Sequence, residues 1–277
     1  MIFNGKEYTH APKNGLGYNN HFQGIIYFES EDAYILSGGN ENTEKGELFI
    51  SSKHLKDHQE FHSRVVLPGF PTLWHAGGMR SYQKIVLVPL ERLKPPLQSK
   101  ILFYDMENIF NPKLLKQEIV INHSKTGAVD IVYLESLKKF LLVAFDTESV
   151  SLYRSKTDEF LSGFDFHKQI KTTIFRGANI SLLQQCDGKI FLAETYNKGL
   201  IPPFLNGKNQ LTLYSVNPDN FETNFILKKN FKCSGKCNFR GAANFIIQGG
   251  ELELISTKMY RNGRKNQLFL RHFRPLE

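Results

Sequence analysis

Cysteine is scarce in this chain. Its 277 residues include only Cys186, Cys233 and Cys237, an odd, low count that excludes a disulfide framework as the source of the fold. Cys233 and Cys237 bracket Ser-Gly-Lys in a turn. That spacing admits a local disulfide or a metal clip, and two free thiols are the expected state. Tryptophan is rarer still, with Trp74 alone. No stretch approaches the roughly 20 apolar residues of a membrane span, and the first fifteen residues lack the apolar core of a signal peptide. A soluble, monomeric protein is expected. Helical periodicity is nearly absent, and the best candidate helix, residues 111–117, is too short to matter. The sequence holds no Gly-x-Ser-x-Gly elbow, no Walker A loop and no His-Glu-x-x-His. Gly15-Leu-Gly17 lacks the strand–helix setting of a dinucleotide site. A net charge of +8 favours anionic partners, but Lys and Arg are scattered, without a nucleic-acid-binding motif.

What is abundant is aromatic and turn-forming. Twenty-three Phe and eleven Tyr favour strands, because flat side chains pack well on a pleated, half-buried surface. Short apolar runs alternate with turn-rich segments, and their order repeats. One unit reads His75-Ala-Gly-Gly78-Met79, then Lys84-Ile-Val-Leu-Val88, then Lys100-Ile-Leu-Phe-Tyr104. Anchor glycines recur at 24, 78, 127, 177 and 241, with spacings of 54, 49, 50 and 64 residues. A period near fifty with about four strands per unit is the signature of propeller blades. The units run over residues 21–70, 71–121, 122–171, 172–233 and 234–277, the last completed by residues 1–12. The fifth unit stops after its third strand, so an N-terminal strand is expected to close it and remove both exposed edges. The expected fold is all-β, a single five-bladed β-propeller with about four antiparallel strands per blade.

At the level of this repeat the chain resembles five-bladed β-propellers, an architecture shared by glycoside hydrolases of the arabinanase and levansucrase type and by lectins of the tachylectin type. The WD dipeptide of WD40 blades and the kelch double glycine are missing, and a single Trp74 excludes Trp-bearing lectin repeats. Asp130 and Asp146 fall inside the repeat pattern rather than in a glycosidase signature. The resemblance implies the fold, and function has to be argued from a site.

Propeller geometry places the loop entering each innermost strand and the loop leaving each second strand on one face. His21, His75 and His123 fall at innermost-strand entrances, Arg176 and Arg240 just before anchor glycines, and Glu91, Asp146 and Glu194 at second-strand exits. Long loops with prolines and aromatics open on the same face, as binding sites on rigid scaffolds often do. The leading expectation is a propeller that binds a small molecule, a glycan or a protein loop, anionic partners included, through His21, His75, His123, Arg176 and Arg240. The alternative is a glycoside hydrolase or related carbohydrate-active enzyme using Glu91, Asp146 and Glu194, since glycoside hydrolysis needs two carboxylates across one bond. A divalent metal at the channel mouth, held by His21, His75 and His123, is the third reading. The plainer assignment makes these histidines hydrogen-bonders that tie neighbouring blades.

Overall fold

The computed structural model describes residues 3–10, 20–40, 43–52, 63–68, 72–122, 124–146, 149–171, 179–198, 208–220, 222–231, 237–257 and 268–275. They form a five-bladed β-propeller. Strand β1 (Phe3–His10) comes first in the chain, and β2 (Asn20–Phe28), β3 (Ala33–Asn40), β4 (Lys45–Ser52) and β5 (Ser63–Val66) build blade one. Blade two contains β6 (His75–Ala76), β7 (Arg80–Tyr82), β8 (Ile85–Glu91), β9 (Gln98–Asp105) and β10 (Lys113–Asn122). Blade three contains β11 (Ala128–Leu134), β12 (Lys139–Phe145), β13 (Ser149–Ser155) and β14 (Phe164–Lys171). Blade four contains β15 (Asn179–Gln184), β16 (Ile190–Lys198), β17 (Lys208–Val216) and β18 (Thr223–Phe231). Blade five contains β19 (Ala243–Gln248), β20 (Glu251–Thr257) and β21 (Leu268–Pro275), and β1 pairs with β21 as its fourth strand, Phe3 opposite Pro275 through His10 opposite Leu268. The N-terminal closure expected from the sequence is therefore present. The candidate helix at residues 111–117 instead enters β10, which carries a bulge between Leu114 and Glu118. Among the described residues no helix is long and apolar enough to cross a membrane.

The second strand of each blade explains why the sequence reads as unbroken apolar runs. Consecutive residues on a strand point to opposite faces, and here both faces meet a neighbouring blade. Ile35 and Val88 share the core between blades one and two, and Leu87 and Leu142 the core between two and three. Val143 and Leu192 lie between blades three and four, Ala193 and Leu254 between four and five, Ile255 and Leu36 between five and one. Five cores for five blade interfaces make a closed ring. Burial of each large side chain in them contributes roughly 1.5–3 kcal/mol.

The interface that joins the last blade to the first also carries a buried polar chain. His272 Nδ1 lies 2.6 Å from Glu253 Oε2, and Nε2 lies 3.1 Å from the Tyr34 hydroxyl. In the neutral ring Nδ1–H donates to the carboxylate and Nε2 accepts from the phenol. At the start of blade five Cys237 is disulfide-bonded, and Cys186 is free and exposed. The disulfide at Cys237 corrects the expectation of two free thiols.

Innermost strands crowd at the centre. Gly78 pairs with Ala128 in a parallel bridge: its N–H donates to Gly127 O (2.8 Å), and its carbonyl accepts from Val129 N–H (2.9 Å). A Cβ on Gly78 would come within 2.9 Å of the Ala128 Cβ and strike Asn179 Oδ1. A Cβ on Gly127 would meet nothing within 4 Å. The two anchor glycines thus differ in what they permit. Gly78→Ala should lower stability by about 1–3 kcal/mol through overpacking, whereas Gly127→Ala should stay within about 0.5 kcal/mol of wild type. Denaturant midpoints of the two variants measure the contrast, and equal effects would remove the close-approach argument.

Candidate functional site

The centre of the ring is occupied by polar side chains. Arg80 at the start of β7 reaches two other blades. Its Nε lies 3.2 Å from Asp130 Oδ1 of β11, and its Nη1 donates to Asn244 Oδ1 (3.1 Å) and to Phe245 O (2.9 Å) of β19. Asp130 is fully buried. Its oxygens also accept the N–H of Ile131 (2.6 Å) and, from β15, the N–H of Leu182 (2.7 Å). Ser181 donates to Asn244 Oδ1 (2.8 Å), and Asn244 Nδ2 donates to Ile25 O of β2 (3.0 Å). All five blades meet in this one network. Burial pushes the Asp130 carboxyl up to about 6, against the opposing pull of Arg80 and the two backbone N–H groups.

Sequence reasoning passed over Arg80 and Asn244 and treated Asp130 as part of the repeat. A signal was present: Asp130 and Asn244 each stand three residues after an anchor glycine, on innermost strands whose neighbours are apolar. A polar side chain there must be paired. What one sequence does not reveal is that these groups converge on a single guanidinium.

At the mouth the structure brings two candidates together. His75 opens β6, directly opposite Glu91 at the end of β8. His75 Nδ1 lies 2.8 Å from Glu91 Oε1, an ion pair when the ring is protonated, with side chains 14% and 8% exposed. Asp146 follows β12 at the same end of the next blade. Its carboxylate accepts from Ser124 Oγ (2.7 Å), Ser149 N–H (2.7 Å) and Ser149 Oγ (2.9 Å), which staples the connection into β13. His21 enters β2 opposite Gly39. Arg240 is exposed in the turn before β19, its N–H donating to Asn238 Oδ1 (2.9 Å). His123 and Arg176 lie outside the described residues. Among the described residues no group of three His, Cys, Asp or Glu is placed to hold a metal ion, and the ion pair that reaches the axis is Arg80–Asp130 rather than one made by Arg240.

Glu194 differs from the other two carboxylates. It stands in mid-β16 opposite Ile180 and Thr212, on the strand face that Leu192 and Tyr196 turn toward blade three. It is fully buried, and neither oxygen has a hydrogen-bond partner among the described residues. Lys228, with its ammonium 5.7 Å from the Tyr196 ring centre, exerts a weak opposing pull. Desolvation wins and raises the Glu194 carboxyl from 4.5 to about 8. A carboxyl raised by folding contributes stability that is complete below about 4.5 and is lost as pH rises through about 8. Each pKa unit corresponds to about 1.4 kcal/mol. Glu194→Gln should therefore match wild type in melting temperature near pH 4.5 and exceed it by several degrees at pH 9. A difference between the two proteins that does not change with pH would contradict this placement of the charge.

No protein-family model and no curated protein matches the chain. Solved structures do. A fructofuranosidase from Schwanniomyces occidentalis complexed with fructosylnystose superposes with a TM-score of 0.60 at 11% identity, covering 94% of this chain and 56% of that one. The GH32 beta-fructofuranosidase of Bombyx mori gives 0.62 at 14% identity, with 98% and 65% covered. The chain thus spans a little over half to just under two thirds of the length of these two proteins. An endo-arabinase from Bacteroides thetaiotaomicron gives 0.55 at 13% identity, with 98% of both chains covered. A thermostable family-43 glycoside hydrolase gives 0.55 at 9% identity and the Malassezia sympodialis allergen Mala s 1 gives 0.53 at 10%, and at such identities the likeness establishes the five-bladed propeller alone.

Proposed function

We propose that this chain acts on carbohydrate, taking a glycan at the channel mouth and cleaving a glycosidic bond there. The observation that carries the reading is the His75–Glu91 pair, an imidazole and a carboxylate 2.8 Å apart at the innermost strand of blade two. Supporting it, propellers of the same architecture with carbohydrate substrates in their names superpose over nearly the whole chain. Glu91 is the proton-transferring carboxyl in this reading, and His75 faces it as an ion-pair partner when its ring is protonated. Asp146, at the same end of the neighbouring blade, supplies the second carboxylate that glycoside hydrolysis requires. Glu194, sealed between blades three and four, is left to the scaffold.

The three hydrogen bonds that Asp146 already accepts favour a second reading, a glycan-binding propeller without hydrolysis. Incubation with arabino-, xylo-, galacto- and fructo-oligosaccharides, read by product chromatography, separates the two. Hydrolysis predicts cleavage of at least one class and a fall in kcat/KM of about 100-fold or more in Glu91→Gln, with an unchanged melting temperature. Saturable binding without products assigns the second reading. Neither cleavage nor binding across the panel overturns both.

A further inference from the structure

A cleft of about 790 Å³ opens at the axis, where Ile26, Tyr27, Arg80, Ser81 and Val132 of the first three blades line it, and runs outward between blades four and five, on the face opposite the mouth. Its position follows from strand direction. It is lined near the ends of β15 and β19 by Leu183 and Ile247, where these strands turn into β16 and β20, whereas the mouth lies at the other ends. The volume falls within the roughly 300–1,000 Å³ range of small-ligand sites.

The lining is apolar and partly uncovered. Ile247 is 63% exposed, Ile226 43% and Leu227 39%, and half-buried Leu213 and Leu252 continue the same surface inward. Exposed apolar side chains gathered along one cleft mark a binding surface. Its polar groups are cationic or neutral. Arg80 and Lys229 line it, and no aspartate or glutamate is among its described lining residues. Arg80 is oriented by Asp130 and Asn244 through Nε and Nη1, and its Nη2 has no partner among the described residues. A guanidinium held through two of its three nitrogens can offer the third, Nη2, to an oxygen anion with little entropy left to lose. Tyr27, Ser81, Gln184, Gln185 and Asn244 add neutral polar groups beside the two cations.

We propose that the cleft binds an amphipathic monocarboxylate of the long-chain fatty-acid class, with the carboxylate on Arg80 Nη2 and the alkyl chain along Leu213, Ile226, Leu227 and Ile247. The site is independent of the glycan reading and stands or falls separately from it.

Fluorescence titration of the full chain with cis-parinaric acid, displaced by oleate below its micellar concentration, tests the site. Saturable one-to-one binding is expected, with oleyl alcohol at least tenfold weaker than oleate. Ile247→Glu, at an exposed position that tolerates polarity, should weaken oleate at least tenfold by repelling the carboxylate, and Ile247→Lys should not. Arg80→Lys, if its melting temperature shows it folded, should reduce the preference for acid over alcohol. The two Ile247 variants carry the test if it does not fold. Absence of saturable binding, equal affinity for acid and alcohol, or equal effects of Glu and Lys at 247 would overturn the proposal. So would binding to phosphatidylglycerol vesicles with no binding of monomeric oleate, because it would make the cleft a membrane-facing patch.

Discussion

A guanidinium set against a fully buried carboxylate at the centre of a ring of sheets has few ways to be held, and the one found here draws on every blade. Arg80 comes from blade two, Asp130 from blade three, the Leu182 N–H and Ser181 hydroxyl from blade four, Asn244 and Phe245 from blade five, and the Ile25 carbonyl from blade one. Each group is poor company for the apolar strands around it and is tolerable only when all the partners are present. The blades are therefore fixed relative to one another at their inner edges by directional bonds. The five apolar cores farther out fix them by area. Apolar contact alone permits sliding, and the network sets the register in which the sheets meet.

Both candidate sites depend on that register. At the mouth, His75 and Glu91 face each other across the first two strands of blade two, and Arg80 lies two residues beyond Gly78, where that blade bonds to blade three. At the opposite end, the same Arg80 supplies the polar end of the apolar cleft. One residue thus separates two chemically different faces, one bearing a carboxylate with an imidazole, the other apolar and cationic.

The fold was legible because the middle strands are buried on both sides. Leu142 and Val143, adjacent in sequence, serve different blade interfaces, so each repeat shows an apolar run that survives inspection of a single sequence. The N-terminal strand was legible from a missing partner. The axial network was not, because Arg80, Asp130 and Asn244 come from three repeats at two different offsets from the anchor glycine, and only closure brings them together. Gly127 shows the converse: it matches the repeat pattern, yet the space beside it is open. Glu194 matched a second-strand exit by alignment, but β16 continues four residues past it to Lys198, which leaves it buried in mid-strand rather than at the rim.

The central claim, that the Arg80–Asp130 pair locks the ring, is tested most directly by a double-mutant cycle on equilibrium unfolding with Arg80→Met and Asp130→Asn. Arg80→Met leaves the fully buried Asp130 uncompensated and should cost about 3–5 kcal/mol, and Asp130→Asn, which leaves a partly exposed guanidinium, should cost about 1–3 kcal/mol. The double variant should then lose at least about 1 kcal/mol less than the sum of the singles. Single variants within about 0.5 kcal/mol of wild type, or strictly additive losses, would contradict the account.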